Sequence, residues 1–357
     1  MKLCEHELYR EDVRRAAAIP LPWEKLKNTS VFLSGATGLL GSFFVDVLME
    51  KNRKEGLRCK VVALTRNTEK AWERFADCAD SPDFCLVPGD VTQPISGETI
   101  GDVGYVLHMA SHTHPKEYAT DPIGTITTNI YGLKNMLDFA EKHRARRFTF
   151  ASSCEIYGEN RGDAECFPED YCGYIDCNTL RAGYTESKRC GEALCQAYIS
   201  QKEMDIVIPR FTRSYGPTLL QVDTKAMSQF LHKAVAGEDI VLKSAGTQYF
   251  SYSYMADAVA GLFTVLLCGE CGEAYNIADA KSDIRLKDLA KMIAEAAGRK
   301  VIFEIPDATE SAGYSQATKA RLSGEKLKKL GWEMQYDIEW GVARTIKILR
   351  DLKGTGN

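Results

Sequence analysis

Val31-Phe32-Leu33-Ser34-Gly35-Ala36-Thr37-Gly38-Leu39-Leu40-Gly41 is the stretch whose reading decides the fold. A short apolar run enters a glycine-rich turn, and a helical pattern from Phe43 to Met49 leaves it. Strand, tight turn and helix in that order make a glycine fingerprint meaningful. Glycines let the backbone approach a pyrophosphate, and the helix N-terminus supplies amide donors and a favourable dipole. The spacing is G-x-x-G-x-x-G, and Gly35, Thr37, Gly38, Leu39, Leu40 and Gly41 are the candidate cofactor contacts.

Working outward, strands and helices alternate. The second strand, Val61 to Leu64, ends in Thr65-Arg66-Asn67. An acid there would accept from the ribose hydroxyls of NAD, whereas Arg66 can meet the extra phosphate of NADP. Phe84 to Val87 leads into Asp90 and Val91, and Val103 to Met109 leads into Ala110 and Ser111. These positions lie at strand C-termini, where a doubly wound sheet binds its ligand. His112 and His114 follow with the alternation of an extended chain. Without a third ligand nearby they read as substrate contacts rather than a metal site. A helix over about 120–143 carries Asn129, and a fifth strand, Arg147 to Ala151, runs into Ser152-Ser153-Cys154-Glu155. After a sixth strand, Ile206 to Ile208, the alternation is expected to stop. The expected fold is α/β: a Rossmann-type doubly wound parallel sheet with a smaller mixed α/β C-terminal substrate lobe. Its expected parts are an N-terminal extension over 1–28, a dinucleotide-binding domain over 29–210 with a returning helix near 255–268, and a lobe over 211–353.

Composition excludes several classes. The 357 residues carry a net charge of -4 with no basic block, which argues against nucleic acid as the partner. No run of about eighteen apolar residues is present to span a membrane. Residues 1 to 23 are rich in charge, lack the apolar core of a secretory signal, and read as a helix up to about Ala18. Twelve cysteines scattered through a chain of this size fit reduced thiols in a cytoplasmic protein. Cys268-Gly269-Glu270-Cys271 reads as a turn after a helix.

The chemistry centres on Tyr184-Thr185-Glu186-Ser187-Lys188. Four residues are just over one helical turn, so the Tyr184 phenol and Lys188 ammonium share a face. A cation within about 4–6 Å of the phenol is expected to lower its pKa of about 10 and make it a usable base. Ser153 and Glu155, at the end of the fifth strand, fall beside that helix, with Cys154 between them as a weak proton donor.

With these residues the chain resembles an extended short-chain dehydrogenase/reductase of the NAD-dependent nucleotide-sugar epimerase/dehydratase family, over about Val31 to Trp332. Within it, His108 to Ser111 with Pro115 and Tyr118, Ser153 to Gly158, Pro168 to Tyr171 and Arg181 to Arg189 look like segments of the UDP-glucuronate decarboxylase branch. The resemblance implies a tightly held NAD and a homodimer paired through the helices around Asn129 and Tyr184. Tyr184 would take a proton from a sugar hydroxyl, Lys188 would tune it and hold the nicotinamide ribose, and Ser153 would share the proton. The resulting keto-sugar opens dehydration, epimerisation and decarboxylation, and Glu155 favours elimination or decarboxylation. Three positions depart from the family: Arg213 stands where it has an Asn, Cys154 where its dehydratases have an Asp acid, and Phe250 where it has an Arg that binds diphosphate. Arg210 and Arg213 are the expected replacements for that charge. The alternatives are an NADP-dependent carbonyl reductase that consumes free cofactor and a scaffold that only binds one.

Overall fold

The computed structural model describes residues 1–95, 100–113, 115–304 and 318–354. Its main sheet holds seven parallel strands in one path: β1 (Ser30–Ser34), β2 (Lys60–Thr65), β3 (Phe84–Pro88), β4 (Tyr105–His108), β5 (Arg147–Phe150), β7 (Ile206–Phe211) and β11 (Ala274–Ile277). The spatial order is β11-β7-β5-β4-β1-β2-β3, and the short β6 (Ser152–Ser153) extends β5 by pairing with β7. All five residues of β1 and all six of β7 are buried, as expected where helices cover both faces of a parallel sheet. The order reverses between β1 and β4, so the crevice outside their C-terminal ends is where such a sheet binds ligands.

The helices follow the expected spans, with α2 longer at both ends and α5 slightly shorter: α2 covers Leu39–Glu55, α5 Pro122–Lys142 and α6 Ala182–Lys202. Between them lie α3 (Thr68–Arg74) and α4 (Pro115–Thr120). The alternation does not stop after the sixth strand. After α7 (Ala226–Ala236) and β9 (Ile240–Leu242), β10 (Tyr249–Tyr254) feeds α8 (Met255–Cys268), which crosses back to β11 beside β7. The last expected turn, Cys268 to Cys271, does follow a helix. β11 escapes a reading by hydropathy because fully buried Asn276 sits in its middle, bonded to the Tyr157 hydroxyl and to the carbonyls of Phe167 and Ser323.

The helix α1 (Glu7–Ala17) docks on its own chain, against α2, α8 and the C-terminal helix Ile338–Gly354. Its Asp12 is fully buried, a position that would cost several kcal/mol unpaired. It accepts from Tyr254 at 2.7 Å and Tyr336 at 3.0 Å and pairs with Arg344 at 2.8 Å. Behind it, Phe44 of α2 stacks on Phe263 of α8.

A second, smaller sheet forms the wall opposite the glycine turn. There β8 (Arg213–Tyr215) runs parallel to β10 with Arg213 opposite Tyr252, and β12 (Asp283–Arg285) closes the other side. Arg213 thereby lies across the strand pair from Phe250, two residues before Tyr252 on β10.

Candidate active site

One cavity of about 690 Å³ joins the C-terminal ends of the parallel strands to the smaller sheet. Every candidate cofactor residue from the glycine turn lines it, as do Arg66, Asp90, Val91, Met109, Ala110 and Ser111. Gly35 takes a left-handed φ of 77° against β4, and a Cβ there would fall 2.7 Å from the Met109 carbonyl carbon. Gly41 is equally obligatory, because its Cβ would meet the Gly35 oxygen at 2.1 Å. α2 begins within this stretch, at Leu39, with no side-chain cap and no acid in its first turn, which suits the donor set of a pyrophosphate site. Exposed Arg66 stands at the rim. Burial would raise the pKa of Asp90, but hydrogen bonds from Thr92 and the charges of Arg66 and His112 leave it lowered.

Asn129 does not line the cavity. It is buried one layer behind, donating to Ser187 at 2.8 Å and accepting from Ser111 at 2.6 Å, and so braces two elements that do. His112 and Tyr118 line the cavity, whereas His114 lies outside the described residues. Among the described residues no group of three or more His, Cys, Asp or Glu is placed to hold a metal ion.

Tyr184 and Lys188 project from one face of α6 into the cavity, both buried. The Lys188 ammonium donates to the Ala151 carbonyl at 2.8 Å and sits 6.0 Å from the centre of the Tyr184 ring. The expected lowering of the tyrosine pKa is not found. Burial pushes the phenol well above its ordinary range, outweighing a hydrogen bond with Ser153, and Tyr184 is therefore a phenol at neutral pH. Burial acts on Lys188 in the same sense, destabilising its charged form and lowering its pKa to about 8. Ser153 Oγ also accepts from the Glu155 amide at 3.2 Å, which fixes the turn after β6.

Glu155 is the hub of the substrate side. Arg181 Nη2 donates to it at 2.6 Å and Arg213 Nη2 at 3.4 Å. Burial would raise its pKa, but these two charges win and hold it ionised. Arg213 also reaches Cys154 Sγ at 3.7 Å, and its guanidinium carbon lies over Phe250, 3.7 Å from the ring centre. Burial raises the pKa of Cys154 despite that neighbour, so it is a neutral thiol.

Arg181 has no role in the sequence reading, although it stands three residues before Tyr184 on the same helical face. It lies over the ring of Tyr118, which itself stacks on Tyr184 at 4.8 Å. Arg210, by contrast, does not reach the cavity. It turns the other way into a buried pair with Glu192 at 2.6 Å, also donating to the Tyr157 hydroxyl and the Glu169 carbonyl.

A dinucleotide crevice at the switch point of a doubly wound sheet, with Ser153, Tyr184 and Lys188 at its floor, defines a nicotinamide-dependent enzyme of the short-chain dehydrogenase/reductase type. The chain belongs to the NAD dependent epimerase/dehydratase family, whose model matches residues 31–278. Among curated relatives, UDP-glucuronic acid decarboxylase 3 of Arabidopsis thaliana is 30% identical over 315 residues, covering 88% of this chain and 87% of that protein. UDP-glucuronic acid decarboxylase 1 of Xenopus tropicalis is 28% identical over 324 residues, 90% and 72% of the two chains. The fold matches that of dTDP-glucose 4,6-dehydratase from Streptomyces venezuelae, solved with NAD, at TM-score 0.78 and 22% identity, covering 92% of this chain and 98% of that one. UDP-glucuronic acid 4-epimerase from Bacillus cereus, solved with UDP-glucuronic acid and NAD, gives 0.78 at 18% identity, covering 91% and 100%.

Proposed function

We propose that the chain oxidises a nucleotide-activated sugar and carries the keto-sugar through elimination or decarboxylation before re-reducing it or releasing it. The observation that carries this reading is the convergence of Ser153, Glu155, Tyr184 and Lys188 in one cavity with the glycine turn. A bound NAD or NADP would be held by that turn, Asp90, Met109 to Ser111 and Lys188, and would supply the acceptor and later the donor of hydride. Tyr184, with Ser153 beside it, exchanges the proton of the sugar hydroxyl, and the ammonium of Lys188 supplies positive charge near the phenol. Because burial keeps the phenol protonated, Tyr184 is set to donate when the ketone is reduced; in the oxidative direction the hydroxyl proton passes, with Ser153 bridging, to the Tyr184 phenolate, whose charge the Lys188 ammonium stabilises. Ionised Glu155 accepts the proton from the carbon beside the ketone. Arg66, with no acid at the end of β2, supports NADP; the family name supports NAD.

Mass spectrometry of ligands released from the purified protein, followed by incubation with a UDP- and dTDP-sugar panel, tests this reading. The expected outcome is a released nicotinamide dinucleotide, turnover without added cofactor, and turnover about 10²–10⁴ lower in Tyr184→Phe. Consumption of one NADPH per product would instead establish a carbonyl reductase, which the exposed Arg66 favours.

Free cysteines support a cytoplasmic location, and an apolar face supports a homodimer. Ile123, Ile126 and Tyr131 of α5 and Leu180 just before α6 are exposed together there. Among the described residues no helix is long and apolar enough to cross a membrane.

A further inference from the structure

We infer that Arg181 and Arg213 form a fork that selects a sugar bearing a carboxylate, making these two arginines the specificity-determining residues of the substrate half. This rests on the nucleotide-sugar reading above and adds to it the residues that read the sugar. Two guanidiniums converge on the single carboxylate of Glu155, all three lining the cavity. One carboxylate neutralises one arginine, so the fork itself carries a net positive charge beside Tyr118, Phe250 and Tyr252, with Glu117 a further carboxylate in the lining. A part-buried charge of that kind favours an anionic partner.

The second observation is directional. Arg181 Nη1 is buried and has no hydrogen-bond partner, so the fork keeps a donor unused. The guanidinium carbon of Arg213 is held over Phe250, and that of Arg181 over Tyr118, so both groups are positioned before a ligand arrives. Planar, paired N–H donors match the two oxygens of a carboxylate.

Position decides which anion is read. Arg213 touches Cys154, the residue after Ser153, and Arg181 is less than one helical turn from Tyr184. The fork therefore stands at the sugar carbons beside the hydride site. The lining also includes Lys225, Val241, Lys243 and Gln248, which leaves room for diphosphate and nucleoside. Lys225 is itself paired with Asp223, and its charge also acts on Glu155.

The test measures binding in a Tyr184→Phe background, in which turnover is slow. UDP-glucuronate, UDP-glucose and UDP, with their dTDP counterparts, are titrated by calorimetry into the protein and into Arg213→Met, Arg181→Met and Arg213→Lys versions. The uronate is expected to bind at least about tenfold tighter than the neutral sugar. Either methionine variant should reduce that ratio to within about twofold while moving the affinity for the free nucleotide less than about threefold, and Arg213→Lys should keep part of the preference. Melting curves establish that each variant is folded, and the two sites give independent readings. A ratio unchanged in both methionine variants overturns the inference, as does an equal loss for uronate and free nucleotide, which would make the fork a phosphate site. Uronate and neutral sugar bound equally by the parent would defeat the fork alone. A parent that binds no nucleotide at all defeats the nucleotide-sugar reading beneath it.

Discussion

Two arginine–carboxylate sites lie within a few residues of each other and do opposite things. Arg210 at the end of β7 is closed. Its Nε and Nη2 make a bidentate pair with Glu192, and its Nη1 donates to Tyr157 and Glu169, so one cation meets one anion and every nitrogen is used. Arg213, on β8, belongs to an open set in which two cations share Glu155 and one buried donor has no partner. Residue type does not separate the two. The stoichiometry of charge and the count of unused donors do, and they mark Arg210 as a fastening between β7 and α6 and Arg213 as part of a receptor.

Removing the closed pair should show the largest effect. Arg210→Met leaves the Glu192 carboxylate buried without its guanidinium, which destabilises the fold by about 3–5 kcal/mol. The double variant Arg210→Met with Glu192→Met should recover most of that loss in urea unfolding, because no lone charge remains. Turnover per folded molecule should stay near the parent value. If Arg210→Met unfolds at the same urea concentration as the parent, the distinction between fastening and receptor collapses.

Lys188 sharpens the other side of the comparison, since a residue kept for chemistry can harm stability. Its pKa is about 10.5 unfolded and lowered to about 8 in the fold, so below pH 8 the folded state bears a desolvated ammonium that the unfolded state does not. Between pH 8 and 10.5 the unfolded chain binds more protons than the folded one, and stability therefore rises with pH across that window. Lys188→Met removes the penalty. It should be more stable than the parent at pH 7, by up to about 3 kcal/mol, with the gap closing toward pH 10 and turnover lost. A variant less stable than the parent at pH 7 would show that the bond to the Ala151 carbonyl outweighs desolvation.

The legible half of this molecule is local. The glycine turn, the apolar parallel strands and the four-residue spacing of Tyr184 and Lys188 follow from periods of a few residues. The rule that ligands lie at strand C-termini then brings Ser153 and Glu155 to them. What escaped depends on distant partners. Whether Arg210 or Arg213 faces the cavity is set by Glu192 on α6 and by the pairing of β8 with β10, and the break at Thr212 prevents strand parity from being followed between them. The upward shift of Tyr184 and the rear position of Asn129 are likewise consequences of burial, which no spacing records. β11 was hidden by a buried Asn whose three partners come from other elements.

Phe250 provides the finest test of the comparison, because it distinguishes a receptor that is oriented in advance from one that merely carries charge. The ring offers its face to Arg213 at 3.7 Å, an arrangement worth about 0.5–2 kcal/mol. Leucine keeps most of the apolar bulk and removes that face, so Phe250→Leu leaves the guanidinium charged and tied to Glu155 but free to tilt. The expected result is a stability loss of about 1 kcal/mol and a KM for an anionic sugar raised a few-fold, with kcat and the affinity for free nucleotide nearly unchanged. Such a split follows if Phe250 orients Arg213 toward the ligand. If KM for anionic and neutral sugars rises equally, the ring only fills the core, and the orientation of the fork must come from Glu155 alone.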